Sequence, residues 1–300
     1  MFAKAAPIIF VCLWATGFVG ARMGMPHSEP GTFLSLRFAC AFVLLTLIAM
    51  VARAPWPGTR TAFKSIAIGF LIHGTYLGSV FWVIDRGMPA GVSAVVVGLQ
   101  PLFTALLAGW WLKESITGKH WIGLVLGMTG VYMVLHPGID LADSGVNATT
   151  ICVSLFGMLS VTLGTVLQKI LGSSVDLRSG TALQYLGAFI PVFILALFSE
   201  TGAVDWTGEM ILAMTWSIFV LSLVAIFLLM WLIREGSVAK VSSLFFLVPA
   251  VAALMSYYLF DETLDLLQLS GMALCAAAVA LAATTGAGSK KKPELKQSAT

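Results

Sequence analysis

The chain has 300 residues, 59% of them hydrophobic and only 10% charged, with a mean hydropathy of +0.96. Soluble domains carry about a quarter charged residues, so the composition excludes a soluble globular protein and indicates a multi-pass membrane protein, whose expected location is the cell (inner) membrane. The net charge of +3 is concentrated in Lys290, Lys291, Lys292 and Lys296, which a solvated end near anionic headgroups explains, and nothing in it points to nucleic acid.

A helix needs about 20 predominantly apolar residues to cross roughly 30 Å of hydrocarbon. Ten such segments follow one another, at 6–23, 32–52, 64–84, 89–112, 119–136, 150–171, 180–199, 209–233, 238–260 and 266–286. The first is read as a spanning helix and not as a signal peptide, because no small-residue cleavage site leads into a soluble domain. Cys12, Cys40, Cys152 and Cys275 stand in apolar runs without CxxC or metal-ligand spacing. They are read as packing residues. The tail, 287–300, is short, polar and Lys-rich, the composition of a disordered segment.

The two halves repeat each other. Trp82-Val83-Ile84 and Gly87 answer Trp231-Leu232-Ile233 and Gly236 at an offset of 149, while Pro101, Glu114 and Gly123 answer Pro249, Glu262 and Gly271 at 148. Further back, at 147, Gly17 meets Gly164, Arg22 meets Lys169 and Arg37 meets Gln184. Proline and glutamate at a common offset carry weight because both are costly in or beside a spanning helix. The expected architecture is therefore all-α, with a first unit at 1–147 and a second at 148–286. Five helices per unit, an odd number, oblige the second unit to enter the membrane inverted.

Loop charge tests this count. With a cytoplasmic N-terminus, fourteen of the seventeen Lys and Arg lie inside, Arg22 and Arg86 lie outside, and Arg37 sits within the second helix. A missed helix would flip every later loop, so the positive-inside asymmetry supports ten helices with both termini cytoplasmic.

Several features arrive together in chain order: Trp14 in helix one, Arg37 in helix two, and Pro101 and Pro249 in helices four and nine, with Glu114 and Glu262 just after them. With the block RGMPAGVSAVVVGLQPLFTALLAGWWLKESITGKHWIGLVLG and its second-half echo, the chain resembles the EamA-type transporters of the drug/metabolite transporter superfamily. The resemblance covers about Ile8 to Ala283. It implies a ten-helix exporter or exchanger of small metabolites and leaves the metabolite open.

Transport needs a central site and helices that can bend. Pro101 and Pro249 each remove a backbone hydrogen bond near mid-helix and are candidates for kinks flanking a midplane cavity, or for ordinary packing kinks. His73, with Tyr76 at i+3, lies near the centre of helix three, either binding a polar substrate or hydrogen-bonded to a neighbouring helix. Arg37, about 9 Å of rise inside the end of helix two, can pair with a substrate carboxylate. It can equally snorkel to the interface, or pair with Asp85 or Glu29. Gln100 donates and accepts without a charge, as do Gln168 and Gln184, and Trp14, Phe245 and Phe246 offer apolar walls or plain packing. Glu114 and Glu262 are read as solvated helix ends, or as gates that lock the two copies together. Gly74 with Gly78, and Gly123 with Gly127, are small-residue pairs for close helix packing.

Absences narrow the class. No carboxylate stands at mid-depth, and there is no phosphate-cradling Gly-Lys-Ser/Thr loop, HExxH helix or GxSxG elbow. This is neither an ATP-driven pump nor an enzyme, and no cofactor or metal is expected. The reading is a secondary transporter, with amino acids or related compounds as its small-molecule partners, acting in the bilayer as a monomer or homodimer by alternating access. A channel-like passive facilitator, a multidrug efflux protein of the same fold and a membrane scaffold without substrate are the alternatives.

Overall fold

A computed structural model describes residues 2–88, 93, 96–114, 116–136, 145–171, 175–260 and 264–284. The helices are α1 (Phe2–Gly24), α2 (Pro30–Val51), α3 (Thr59–Asp85), α4 (Gln100–Trp111), α5 (Gly118–Leu135), α6 (Ala148–Leu171), α7 (Leu177–Ser199), α8 (Gly208–Glu235), α9 (Val238–Ser243), α10 (Leu247–Phe260) and α11 (Leu266–Thr284). Among the described residues there is no strand, only an isolated bridge between Ser28 and Val204. Among the described residues five helices, α2, α3, α6, α7 and α8, are long and apolar enough to cross a membrane. Their outer faces expose large apolar groups such as Phe198 at 88%, a surface suited to lipid and not to water. Trp110 and Tyr258, near helix ends, are also exposed, as interfacial aromatics should be.

Apolar burial does not hold helices together in lipid; close packing does. Helix α2 lies along α7 and α5 lies along α11, while α3 packs on α7 and α8 packs on α2. Likewise α4 packs on α6 and α10 on α1. Each contact thus has its counterpart in the other half. The start of α2 meets the end of α7, where Glu200 accepts from the amides of Gly31 and Thr32 at 2.7 and 2.6 Å, and Glu29 accepts from the Thr201 amide at 2.8 Å. At the other end Ser179 Oγ donates to the Pro55 carbonyl at 2.7 Å. The two helices are therefore antiparallel. Helices α5 and α11 are antiparallel too, with Gly123 near Ala278, Gly130 near Gly271 and Val134 near Gln268.

Both long central helices change their winding. Helix α3 is π-helical over Phe70–Thr75 and α8 over Ser217–Ala225, the second starting 217 − 70 = 147 residues after the first. A π segment misaligns carbonyls that then need other donors, and Ser160 of α6 supplies one to Leu71 O at 3.1 Å. The prolines differ from the sequence expectation. Helix α4 begins at Gln100 after a turn at Gly98 and Leu99, so Pro101 stands in its first turn and not at mid-helix. The 3₁₀ turn Leu244–Phe246 separates α9 from α10, placing Pro249 in the first turn of α10. The missing N–H of proline costs nothing there, whereas mid-helix it would leave a carbonyl bare. Glu262 and the tail 287–300 lie outside the described residues.

The tightest approach is between α3 and α7. A methyl at Gly187 would lie 2.0 Å from the Ile66 carbonyl oxygen, and one at Gly69 2.0 Å from that of Gln184. Gly187→Ala is therefore expected to destabilise the protein by about 1–3 kcal/mol, read as a lower unfolding midpoint in detergent. Gly208→Ala, with nothing within 4 Å, should leave the midpoint unchanged, and equal midpoints for the two would sink the close-contact account.

Candidate functional site

A cavity of about 110 Å³ lies among α1, α2, α3 and α8. Four of the residues singled out in the sequence, Trp14, Arg37, His73 and Tyr76, line it together. The π segment of α3 places His73 there, and Tyr76 is the first residue after it. Leu77, Phe81 and Ile84 continue the wall along α3 towards Asp85. The cavity thus occupies the half of the bundle nearer the Glu29 and Glu200 end.

The polar groups at its base form one cluster. Arg37 is 7% exposed, and its Nε donates to Ser222 Oγ in the π segment of α8 at 2.8 Å. The Tyr185 hydroxyl of α7 lies beside both groups. The Tyr185 ring stacks on His73, with centroids 4.8 Å apart and planes 5° from parallel. Next to it, Gln184 Nε2 donates to Gln168 Oε1 at 2.6 Å. Arg37 is therefore neither snorkelled nor paired with Asp85 or Glu29. Asp85 has Arg86 at 3.9 Å, and Glu29 is taken up by Thr201 and Gly202. Among the described residues no carboxylate pairs with Arg37.

Away from that end, described aromatic side chains pack on one another. Trp14, Phe10 and Phe245 form a triangle of rings with centroids 5.2 to 5.5 Å apart. Phe245 thus backs the cavity through Trp14 without lining it. Phe246 lies in a separate small core against Gly127. Gln100 is buried in the first turn of α4, away from the cavity, with no described partner for its Nε2. Beyond the rings, Lys169 Nζ donates to the carbonyls of Arg234 and Gly236, each at 2.7 Å, where α8 ends. A cation there complements the negative end of the helix. Arg234 in turn donates to the Val175 carbonyl. Glu114 accepts from the amides of Val238 and Ala239 at 3.0 and 3.3 Å, capping α9 from the end of α4. It joins the two halves of the chain, and is not simply solvated.

Two participants escaped the sequence reading, Tyr185 and Ser222. Their signal was faint but present: Tyr185 adjoins Gln184, the repeat counterpart of Arg37, and a serine in an apolar helix is easily taken for a packing residue.

A family model for the EamA-like transporter family matches residues 4–136 and 148–284, one copy in each half. The chain belongs to the EamA-like transporter family. Its two-repeat helical fold, its place in the membrane and its transporter character follow from that membership. The inner membrane transporter YedA of Escherichia coli strain K12 is 28% identical over 273 residues, covering 90% of this chain and 86% of that protein. A transporter of Synechocystis sp. is 28% identical over 278 residues, with 87% and 83% covered. The Escherichia coli K12 protein named "Probable amino-acid metabolite efflux pump" is 26% identical over 278 residues, with 89% and 90% covered. One solved crystal structure superposes with a TM-score of 0.78 at 16% identity, over 93% of this chain and 95% of that one, and shows the same fold.

The Glu114 cap can be tested directly. Glu114→Ala strands two first-turn amides and is expected to cost about 0.5–2 kcal/mol, measured as a lower unfolding midpoint, while Glu114→Gln, which keeps an acceptor oxygen, should recover most of it. Wild-type stability in the alanine variant would rule out the cap.

Proposed function

We propose that this EamA-family member is a secondary transporter, an exporter or exchanger of small metabolites, with amino acids and related compounds as the first class to test. The observation that carries the reading is the convergence of Trp14, Arg37, His73 and Tyr76 from the first half on a cavity closed by α8 of the second. A site shared between two repeats is the arrangement in which rocking one against the other exposes it to each side in turn. The efflux pump named among the relatives supports the substrate class by analogy.

In this reading the chain crosses the membrane ten times as two inverted five-helix units, with both termini cytoplasmic. Antiparallel contacts between counterpart helices, the matched π segments and the clustering of Lys and Arg support it. The cavity then faces outward, and the seal formed by Lys169, Arg234 and Glu114 lies on the cytoplasmic side, where Glu114 acts as a gate. Inward opening breaks those bonds and forms counterpart contacts at the other end. No chemical step is assigned to the protein.

Counterflow in proteoliposomes tests the reading. Preloading an unlabelled amino acid should accelerate uptake of the labelled compound, and His73→Ala should lower kcat/KM at least about tenfold, a loss of roughly 1.4 kcal/mol. Uptake that rises linearly with concentration and ignores preloading would instead identify a channel-like facilitator.

A further inference from the structure

Arg37 is the single formally charged residue among the described lining residues of the cavity. A guanidinium at this depth ordinarily finds a carboxylate, because an uncompensated charge away from water is costly. Here its partners are hydroxyls. Ser222 holds Nε at 2.8 Å, and Tyr185, itself braced against His73, flanks it. A hydroxyl fixes the direction of a guanidinium without neutralising it. The terminal N–H groups, which form the fork that matches a carboxylate, meet the Tyr185 hydroxyl and, among the described residues, no carboxylate. The rest of the wall is apolar, with Trp14, Leu77, Val80, Phe81, Ile84 and Leu221.

We propose that the cavity is a binding site for a small organic carboxylate with an apolar tail. The carboxylate takes the fork of Arg37, and the tail lies along Trp14, Leu77 and Phe81. Ser222 and Tyr185 are positioning residues that aim the guanidinium. A zwitterionic amino acid is accepted through the same carboxylate, its ammonium facing the Tyr76 hydroxyl and the ring face of Trp14. A cation lacking a carboxylate meets Arg37 with no opposing charge, and is rejected. This assignment rests on the cavity being the transport site, but it concerns binding and can be measured without transport.

The test uses the purified full chain in detergent and three probes of one tail: 3-phenylpropanoate, phenylalanine and phenylalaninamide. Calorimetric titration and the shift of the unfolding midpoint should both show binding of the first two and not of the third. Arg37→Gln should weaken carboxylate binding about 10- to 100-fold, the range for losing hydrogen bonds to a charged group, while Arg37→Lys keeps part of it. Ser222→Ala should weaken it several-fold without admitting the amide. Equal binding of all three, selection of phenylalaninamide, no binding of any, or full affinity in Arg37→Gln overturns the assignment. If Arg37→Gln fails to fold, the wild-type ranking of the three probes still decides it. Carboxylate binding without counterflow would sink the transport reading and leave the site standing; counterflow of a compound without a carboxylate, unaffected by Arg37→Lys, would do the reverse.

Discussion

The backbone contact between α3 and α7 at Gly69 and Gly187 fixes where the polar cluster at the base of the cavity sits. With no side chains between them, the helices bring the π segment of α3 against the Gln184 and Tyr185 stretch of α7. His73 therefore stacks flat on Tyr185, and Tyr185 in turn reaches the guanidinium that α2 carries. In lipid the favourable terms available are dispersion at close range and hydrogen bonds between helices. Glycine at the crossing supplies the first and so permits the second. A side chain there would separate the helices, break the stack and leave Arg37 with Ser222 alone.

Winding defects serve the same arrangement. Regular α-helix satisfies its own backbone and so carries no information across a bundle. The π segments and the breaks before Pro101 and Pro249 are the places where this fold gives up that self-sufficiency. They recur in counterpart positions, beside the contacts between halves. On the proposed cycle, bending concentrated at these points would let long rods keep their packing while their ends shift, and the bonds to be broken at the Glu114 end are few and charge-assisted, each worth on the order of 1.5–3 kcal/mol.

Much of this was legible in the sequence because it rests on constraints that act on one helix at a time. Span length follows from hydrocarbon thickness, and the repeat followed from costly residues at a common spacing. Trp14, Arg37, His73 and Tyr76 stood out because polar or amphipathic groups in apolar runs are conspicuous. What could not be read was whatever depends on which helix faces which. Gln100 was as conspicuous as His73, yet its helix turns it away from the cavity. Tyr185 and Ser222 looked ordinary and became partners only through the α3–α7 and α2–α8 crossings. Arg37 is close enough to a helix end to snorkel, but α8 packs over it and Ser222 holds it in. Pro101 was placed at mid-helix because a run of apolar residues hides a turn that glycine and proline make together.

Arg37 stands where the second half has Gln184, so the two halves are matched in shape but not in electrical terms. With no acid opposing it among the described lining residues, the site carries a positive charge when empty and is cancelled by a bound monoanion. A unit charge crossing the full membrane field changes energy by about 2.3 kcal/mol per 100 mV, and whatever fraction of that field separates the two facing states of the proposed cycle applies only where the charge of Arg37 is left uncancelled. On the proposed cycle, passage with a monoanion is indifferent to voltage, whereas passage of the empty site, or of the site holding a zwitterion, is not. On that proposal, membrane potential acts as a ratchet upon the charged states of the carrier, a directional bias that neither the fold nor the repeat provides.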